Sequence, residues 1–173
     1  MKTYMILFTV SKDRPGIVDD VSSFLFERGA NIEDSRMAAL GGCFSIMTLF
    51  SCSPEQSETI KGSLDRLVAL GLQSSLHEAD PTESKKEAGT PLKMDVTAMD
   101  HPGIVQKLVH ILRQHDVNIQ FLNTKVSKAP LSGAPLFALE LEADVPAGAS
   151  ITGLKEELTG LAGQMGLDLN IKN

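Results

Sequence analysis

The chain has 173 residues and a formal net charge of −6, with 42% hydrophobic and 22% charged residues. This composition is typical of a soluble globular protein, and no apolar run approaches the roughly 20 residues that a membrane helix needs. Neither half of the chain is basic, which argues against a surface that follows nucleic-acid phosphates. Met1 leads into an alternating run without the cleavage site of a secretory signal. We therefore expect a cytoplasmic protein that binds no membrane and contacts no nucleic acid directly.

A six-residue motif occurs twice in the chain. The letters Asp-x-Pro-Gly-Ile-Val begin at residue 13 and again at residue 100, and an Asn-Ile pair begins 18 residues after each Asp. An internal repeat of this length indicates two copies of one structural unit. We expect domains over residues 1–80 and 91–173, joined by a linker over residues 81–90 that carries no large apolar side chain.

The first copy changes from one hydrophobic period to another along its length. Residues 3–10 alternate as a strand does, and from Pro15 apolar residues recur every three or four positions, as on one face of a helix. Two strands around a Gly-Gly turn at residues 41–42 follow, then a second helix that ends at Gly71 and a short last strand. The second copy repeats this order.

This order of elements predicts an α+β fold. Strand, helix, strand, strand, helix, strand is the ferredoxin-like βαββαβ arrangement, in which two helices cover one face of a four-stranded antiparallel sheet. The sequence therefore predicts two such domains in tandem.

The uncovered face of each sheet is expected to differ between the copies. In the second copy its residues include Lys93, Asp95, Glu140 and Glu142, as expected for a face in water. In the first copy we expect an apolar patch too large to leave in water, and we predict an association surface there. Its residues are Tyr4, Ile6, Phe8, Val10, Phe44, Ile46 and Phe50.

The repeated motif has the chemistry of a small-molecule site. Glycine at a strand-to-helix turn permits close approach, and the first N–H groups of a helix can bind a carboxylate. The acidic residue could accept from an ammonium group, and the asparagine offers a donor and an acceptor. The candidate ligand-binding residues are Asp13, Arg14, Pro15, Gly16, Ile17 and Asn31 in the first copy, and Asp100, His101, Pro102, Gly103, Ile104 and Asn118 in the second.

Each of these residues also has a purely structural explanation. Asp13 and Asp100 could cap their helices, Gly16 and Gly103 could only permit the turn, and the asparagines could only complete backbone bonding. Arg14 and His101 occupy one position of the repeat yet differ in chemistry. We therefore expect at most one of the two sites to bind with useful affinity.

The duplicated Asp-x-Pro-Gly-Ile-Val turn, followed by Asn-Ile at the next strand, resembles the ACT domain family of small-molecule-binding regulatory modules. The resemblance covers nearly the whole chain except the linker. It implies a non-enzymatic regulator with no catalytic residues, no cofactor and no metal. It implies glycine or serine as ligand, held where two units meet, and a homodimer that contacts another protein, such as a transcription activator of glycine metabolism. A detached regulatory subunit of an enzyme of the formyltetrahydrofolate deformylase type is the alternative within this family.

Two further alternatives come from the fold class. Arg14 and Asn31 imitate the phosphate-handling pair of acylphosphatases, but the glycine-rich cradle is missing and no nucleophilic triad is evident. RNA-binding modules display aromatics on the same sheet face, where Tyr4, Phe8, Phe44 and Phe50 are expected, but the flanking basic residues are lacking. The apolar patch could join the two copies, two chains or a different protein.

Overall fold

The structure is a computed structural model that describes residues 2–80, 89–130 and 132–172. Its residues divide into two compact units, Met1–Lys85 and Lys86–Asn173. Most of the expected linker, residues 81–88, lies outside the described residues, and the first strand of the second unit begins at Thr90. Among the described residues, no helix is long and apolar enough to cross a membrane.

The first unit has the expected order of elements, with one interruption. Its sheet has the strand order β2-β3-β1-β4, and every neighbouring pair is antiparallel. The elements are β1 Thr3–Lys12, α1 Ile17–Phe26, β2 Asn31–Leu40, β3 Cys43–Cys52, α2 Pro54–Lys61, α3 Asp65–Ala69 and β4 Gln73–Ala79.

The second unit repeats this topology with the strand order β6-β7-β5-β8. Its neighbouring strands are also antiparallel. The elements are β5 Thr90–Met99, α4 Ile104–Gln114, β6 Asn118–Lys128, β7 Pro135–Val145, α5 Ile151–Met165 and β8 Asp168–Lys172. The predicted α+β fold of two ferredoxin-like domains in tandem is confirmed.

The second helix of the first unit is divided into α2 and α3, whereas the sequence predicts one continuous helix. Ser53 and Gln56 form a reciprocal cap at the start of α2, and the helix ends at Gly62. The next residue, Ser63, accepts a 2.7 Å hydrogen bond from the Nε atom of Arg28. A glycine followed by a serine bound to the segment after α1 explains the break.

Each unit has its own apolar core between its helices and one face of its sheet. Burying a large apolar side chain stabilises a fold by about 1.5–3 kcal/mol. The fully buried side chains of the first core include Met5, Leu7, Leu25, Phe50, Ile60, Leu67 and Leu72, and those of the second include Met94, Ile104, Leu108, Leu112, Leu141, Leu154 and Leu158.

The structure corrects the predicted association surface on β3. Phe50 and Ile46 are 0% and 4% exposed, and Phe44 packs against the same core. The prediction that these three residues face outward is wrong. In β3 both the odd-numbered and the even-numbered residues include large apolar side chains. The side chains that face the core are therefore decided by the pairing of β3 with β1, and a shift of one residue in that pairing would exchange the two faces.

The outward positions of β3 are taken by other apolar residues. Met47 lies opposite Phe8, and Leu49 lies opposite Ile6. On β1, Tyr4 and Ile6 are half-buried while Phe8 and Val10 are exposed. An apolar outer face is therefore present in the first unit, with Met47 and Leu49 in place of Phe44, Ile46 and Phe50.

Candidate functional site

The two Pro-Gly turns have nearly the same backbone geometry. Gly16 precedes α1 with φ 91° and ψ −5°, and Gly103 precedes α4 with φ 98° and ψ −7°. A side chain at such positive φ clashes with the backbone, so glycine is required at both positions. Neither helix start has a side-chain cap. The capping role considered for Asp13 and Asp100 is therefore not what these residues do.

The isoleucine of each motif belongs to the core. The side chains of Ile17 and Ile104 are each 2% exposed and lie among buried residues. Their prediction as ligand contacts is wrong for the side chains, because these anchor the first turn of each helix. Pro15, Gly16, Pro102 and Gly103 are exposed at the turn itself.

The residue after the aspartate distinguishes the two turns. The Nη2 atom of Arg14 donates to Oδ2 of Asp20 at 2.6 Å and to the carbonyl oxygen of Leu70 at 3.1 Å. In the second unit, His101 Nδ1 lies 3.2 Å from the carbonyl oxygen of Pro102 in its own turn. The arginine therefore ties the first turn to the end of α3.

A depression of about 470 Å³ lies beside the first turn. Lys12 and Arg14 bring two cationic side chains to it, of which Arg14 is ion-paired with Asp20, and Val10 and Leu70 add apolar surface. This combination suits a small anion with a short apolar part. The lining residues are Val10, Ser11, Lys12, Arg14, Cys43, Leu70, Gly71 and Gln73.

The asparagines do not join the turns within one unit. Asn31 pairs with Ser51, whereas Lys12, next to the motif, pairs with Cys43 at the other end of β3. Eight strand residues at about 3.4 Å each separate these ends by roughly 27 Å. Asn118 likewise pairs with Asp144, far from Asp100. The grouping predicted from the sequence is wrong within a unit, because each helix returns the chain to the opposite end of the sheet before the next strand begins.

Asn31 instead takes part in a polar cluster that the sequence did not predict. Its Nδ2 atom donates to Oε1 of Glu33 at 3.2 Å, and the Ser51 hydroxyl donates to the same oxygen at 2.6 Å. The hydrogen bond from Ser51, then that from Asn31, hold the pKa of Glu33 below its ordinary value, and Lys2 at 3.8 Å adds to this effect.

At the corresponding position of the second unit, the hydrogen-bond donor and the carboxylate have exchanged strands. Glu33 lies at a bulge of β2, and Gln120 lies at the matching bulge of β6. The Nε2 atom of Gln120 donates to Oδ2 of Asp144 at 2.9 Å. The acid is therefore on the edge strand in the first unit and on the neighbouring strand in the second. The matching irregularity in both Asn-Ile segments was not visible as a sequence pattern.

The structure weakens the geometric basis of both alternatives from the fold class. Arg14 and Asn31, the pair that imitates acylphosphatases, lie at opposite ends of the first sheet. Phe44 and Phe50, two of the four aromatics expected on an RNA-binding face, are directed to the core. Among residues 2–80, 89–130 and 132–172, no three His, Cys, Asp or Glu side chains are grouped closely enough to hold a metal ion.

Comparison with known proteins agrees with the geometry of the turns and sheets. The family model of the ACT domain matches residues 4–77, the whole first sheet with its helices. The second unit has the same motif and strand order. The first unit thus matches the ACT domain, and this agrees with the resemblance noted from the repeated motif.

Two curated relatives align with nearly the whole chain. The chain is 24% identical over 169 residues to the glycine cleavage system transcriptional repressor of Escherichia coli (strain K12), and the alignment covers 94% of this chain and 85% of that protein. The protein of the same name in Shigella flexneri matches with the same figures.

Two crystal structures match both units. A protein of unknown function from Galdieria sulphuraria is 28% identical, with a TM-score of 0.86 over 99% of this chain and 98% of that one. A structure provisionally named as a glycine cleavage system transcriptional repressor is 22% identical, with a TM-score of 0.72 over 99% and 97% of the two chains. The fold of both units is thus shared with experimentally determined structures.

Proposed function

We propose that this protein is a non-enzymatic regulator of two ACT-type units that binds a small amino acid at the first Pro-Gly turn and acts through contact with another protein. The observation that carries the proposal is the depression in which Lys12 and Arg14 meet the apolar side chains of Val10 and Leu70. An amino-acid carboxylate would bind between the cationic side chains of Lys12 and Arg14. The second turn, with His101 in place of Arg14, would bind more weakly.

Glycine and serine are the first ligands to test. The relatives in Escherichia coli and Shigella flexneri are named as repressors of the glycine cleavage system. A small side chain also suits a shallow depression beside an exposed glycine. The acidic chain is a poor match for the DNA backbone, so we propose a transcription activator, and not DNA, as the partner.

A thermal-shift screen of the full chain against the twenty amino acids tests the ligand site. We expect glycine or serine to raise the melting temperature, because a ligand that binds only the folded state stabilises it by mass action. The matched variants exchange the residues by which the two turns differ. Arg14→His should lose the shift, and His101→Arg should keep it.

Two results would contradict the proposal. One is that no amino acid raises the melting temperature at millimolar concentration. The other is that Arg14→His retains the full shift, which would remove the first turn as the site. Arg14→His also removes the hydrogen bonds to Asp20 and to the carbonyl oxygen of Leu70. The melting temperature without ligand therefore separates loss of binding from loss of stability, and a variant that melts as the wild type does but shows no shift has lost binding alone.

A further inference from the structure

The depression beside the first Pro-Gly turn has cationic side chains but no acid in its lining. Among the described residues that line it, none is an aspartate or a glutamate. Asp13, which the sequence predicts as an acceptor for an ammonium group, is not one of these residues. The nearby carboxylate of Asp20 is already paired with Arg14 at 2.6 Å. An amino acid would therefore find partners for its carboxylate but no acid for its ammonium group.

Lys12 is the cation whose head group is free in the depression. Within the described parts of the chain, no carboxylate or carbonyl oxygen is ion-paired or hydrogen-bonded to its ammonium group. Arg14, by contrast, donates to Asp20 and to the carbonyl oxygen of Leu70. The charges of Lys12, Arg14 and Asp20 leave one net positive charge, which matches a ligand with a single carboxylate.

The second unit lacks this charge pattern at the matching positions of its fold. Met99 takes the place of Lys12 at the end of the first strand. Asp168 takes the place of Gln73 at the start of the last strand. With His101 in the turn, these three positions bring one carboxylate and neither lysine nor arginine. The fold therefore does not require Lys12, and it tolerates an acid where Gln73 lies.

We propose that the first turn selects short-chain carboxylates as a class, and that the α-amino group of an amino acid contributes nothing to binding there. This inference rests on the proposed amino-acid site and deepens it. The carboxylate lies between Lys12 and Arg14, and the carbon chain lies against Val10 and Leu70. An ammonium group on the same ligand lies close to both cations, with no acid in the lining to offset the repulsion. A 2-hydroxy acid therefore binds at least as well as the corresponding amino acid.

The test compares each amino acid with the acid that has a hydroxyl group in place of the amino group. The pairs are glycine with glycolate and serine with glycerate, titrated into the full chain from about 0.1 to 50 mM at constant ionic strength. Binding is read as a rise in melting temperature and as slower alkylation of Cys43 by uncharged iodoacetamide. Cys43 is exposed in the depression, and the buried Cys52 is the internal reference. We expect each hydroxy acid to bind within about threefold of its amino acid or more tightly.

Two variants copied from the second unit separate the contributions of the charges. Lys12→Met, which copies Met99, should weaken all four ligands by at least about tenfold, because the free cation is removed. Gln73→Asp, which copies Asp168, supplies the missing acid. It should weaken the hydroxy acids and strengthen the amino acids, so that the ratio of the two dissociation constants changes by about tenfold or more. A purely structural effect would change both members of a pair alike.

The matched control is a lysine outside the depression. Lys107→Met removes an exposed lysine from the second unit and changes the net charge by the same amount as Lys12→Met. It should bind all four ligands as the wild type does. If Lys12→Met melts below the wild type without ligand, Lys12→Gln replaces it.

Two outcomes would overturn this inference and leave the proposed amino-acid site standing. One is that glycine or serine binds while its hydroxy acid binds more than about threefold more weakly, because the ammonium group is then recognised. The other is that Lys12→Met folds and binds all four ligands unchanged. If the hydroxy acids bind and no amino acid does, the inference holds and the proposed amino-acid site fails. If no ligand of either kind binds, both are wrong.

Discussion

The two Pro-Gly turns have nearly the same backbone conformation and the same core contact, but the residue that precedes the proline differs. Gly16 and Gly103 have φ values within 7° of each other, and Ile17 and Ile104 are equally buried. The residue before the proline is different: Arg14 donates to the carbonyl oxygen of Leu70 at the end of α3, whereas His101 contacts the carbonyl oxygen of Pro102 in its own turn. Duplication has kept what the fold needs and has changed what a ligand would meet.

The two sheets differ in the same way. Their inner faces are apolar in both units, because each must cover a core of its own. Their outer faces are apolar in the first unit and charged in the second. The outer positions are therefore free to vary in this fold, so their chemistry reflects interactions beyond the unit. We expect variants in the core to have similar effects in the two units and variants outside it to have different ones.

The largest effect is expected from Phe50→Ala in the core of the first unit. Phe50 is completely buried, and removal of a large aromatic side chain from a core costs about 3–5 kcal/mol. Ala143 occupies the matching position of the second unit, opposite Leu92 as Phe50 is opposite Met5. Urea unfolding, with the two units followed as separate transitions, should show the loss in the first unit alone.

The control for this prediction lies on the same strand and the opposite face. Leu49→Ala removes a neighbouring apolar side chain that is directed outward, so the free energy of unfolding of a monomer should fall by less than about 1.5 kcal/mol. Measurement at low protein concentration separates this effect from any association. If Phe50→Ala cost no more than Leu49→Ala, the two faces of β3 would be assigned wrongly.

The order of elements could be predicted from the sequence because residues that face a core recur at the period of their element. The face of β3 could not, because its two phases, Phe44 with Ile46 and Met47 with Leu49, are both apolar. Only the register with β1 decides between them. The position of Asn31 differs from the prediction for another reason. Asp13 and Asn31 belong to one sequence pattern, but α1 runs between them and carries the chain to the opposite end of the sheet. The turns at Gly16 and Gly103 agree with the sequence, because turn conformation is a local property of the chain.

A smaller and equal effect is expected from alanine at the two turn glycines. Gly16→Ala and Gly103→Ala each force a Cβ atom into a left-handed conformation, which costs about 1–2 kcal/mol. A Cβ at position 16 would lie 3.7 Å from Nη1 of Arg14, an ordinary contact, and one at position 103 would meet no atom within 4 Å. Urea unfolding of each unit measures the two costs. A difference above about 1 kcal/mol would show that the turns are not equivalent inside the fold.

The smallest effect is expected from Ser51→Ala, which acts on the polar cluster that the second unit has in reversed form. The Ser51 hydroxyl is the main reason that the pKa of Glu33 lies below its ordinary value of 4.5, so its removal should raise this pKa. A lowered pKa in the folded state stabilises the fold above the pKa of the unfolded chain, and this contribution is lost as the pH falls through the folded value. The variant should therefore lose its share of stability at a higher pH than the wild type, within the acidic range below about pH 5.

Carboxyl carbon chemical shifts recorded from pH 2 to 7 follow Glu33 directly. Ser45→Ala, on the same strand and the same face, is the control and should leave the titration of Glu33 unchanged. An identical titration in both variants would mean that Asn31 and Lys2 hold the carboxylate without the serine, and the reversed polarity of the two units would then have no effect on ionisation.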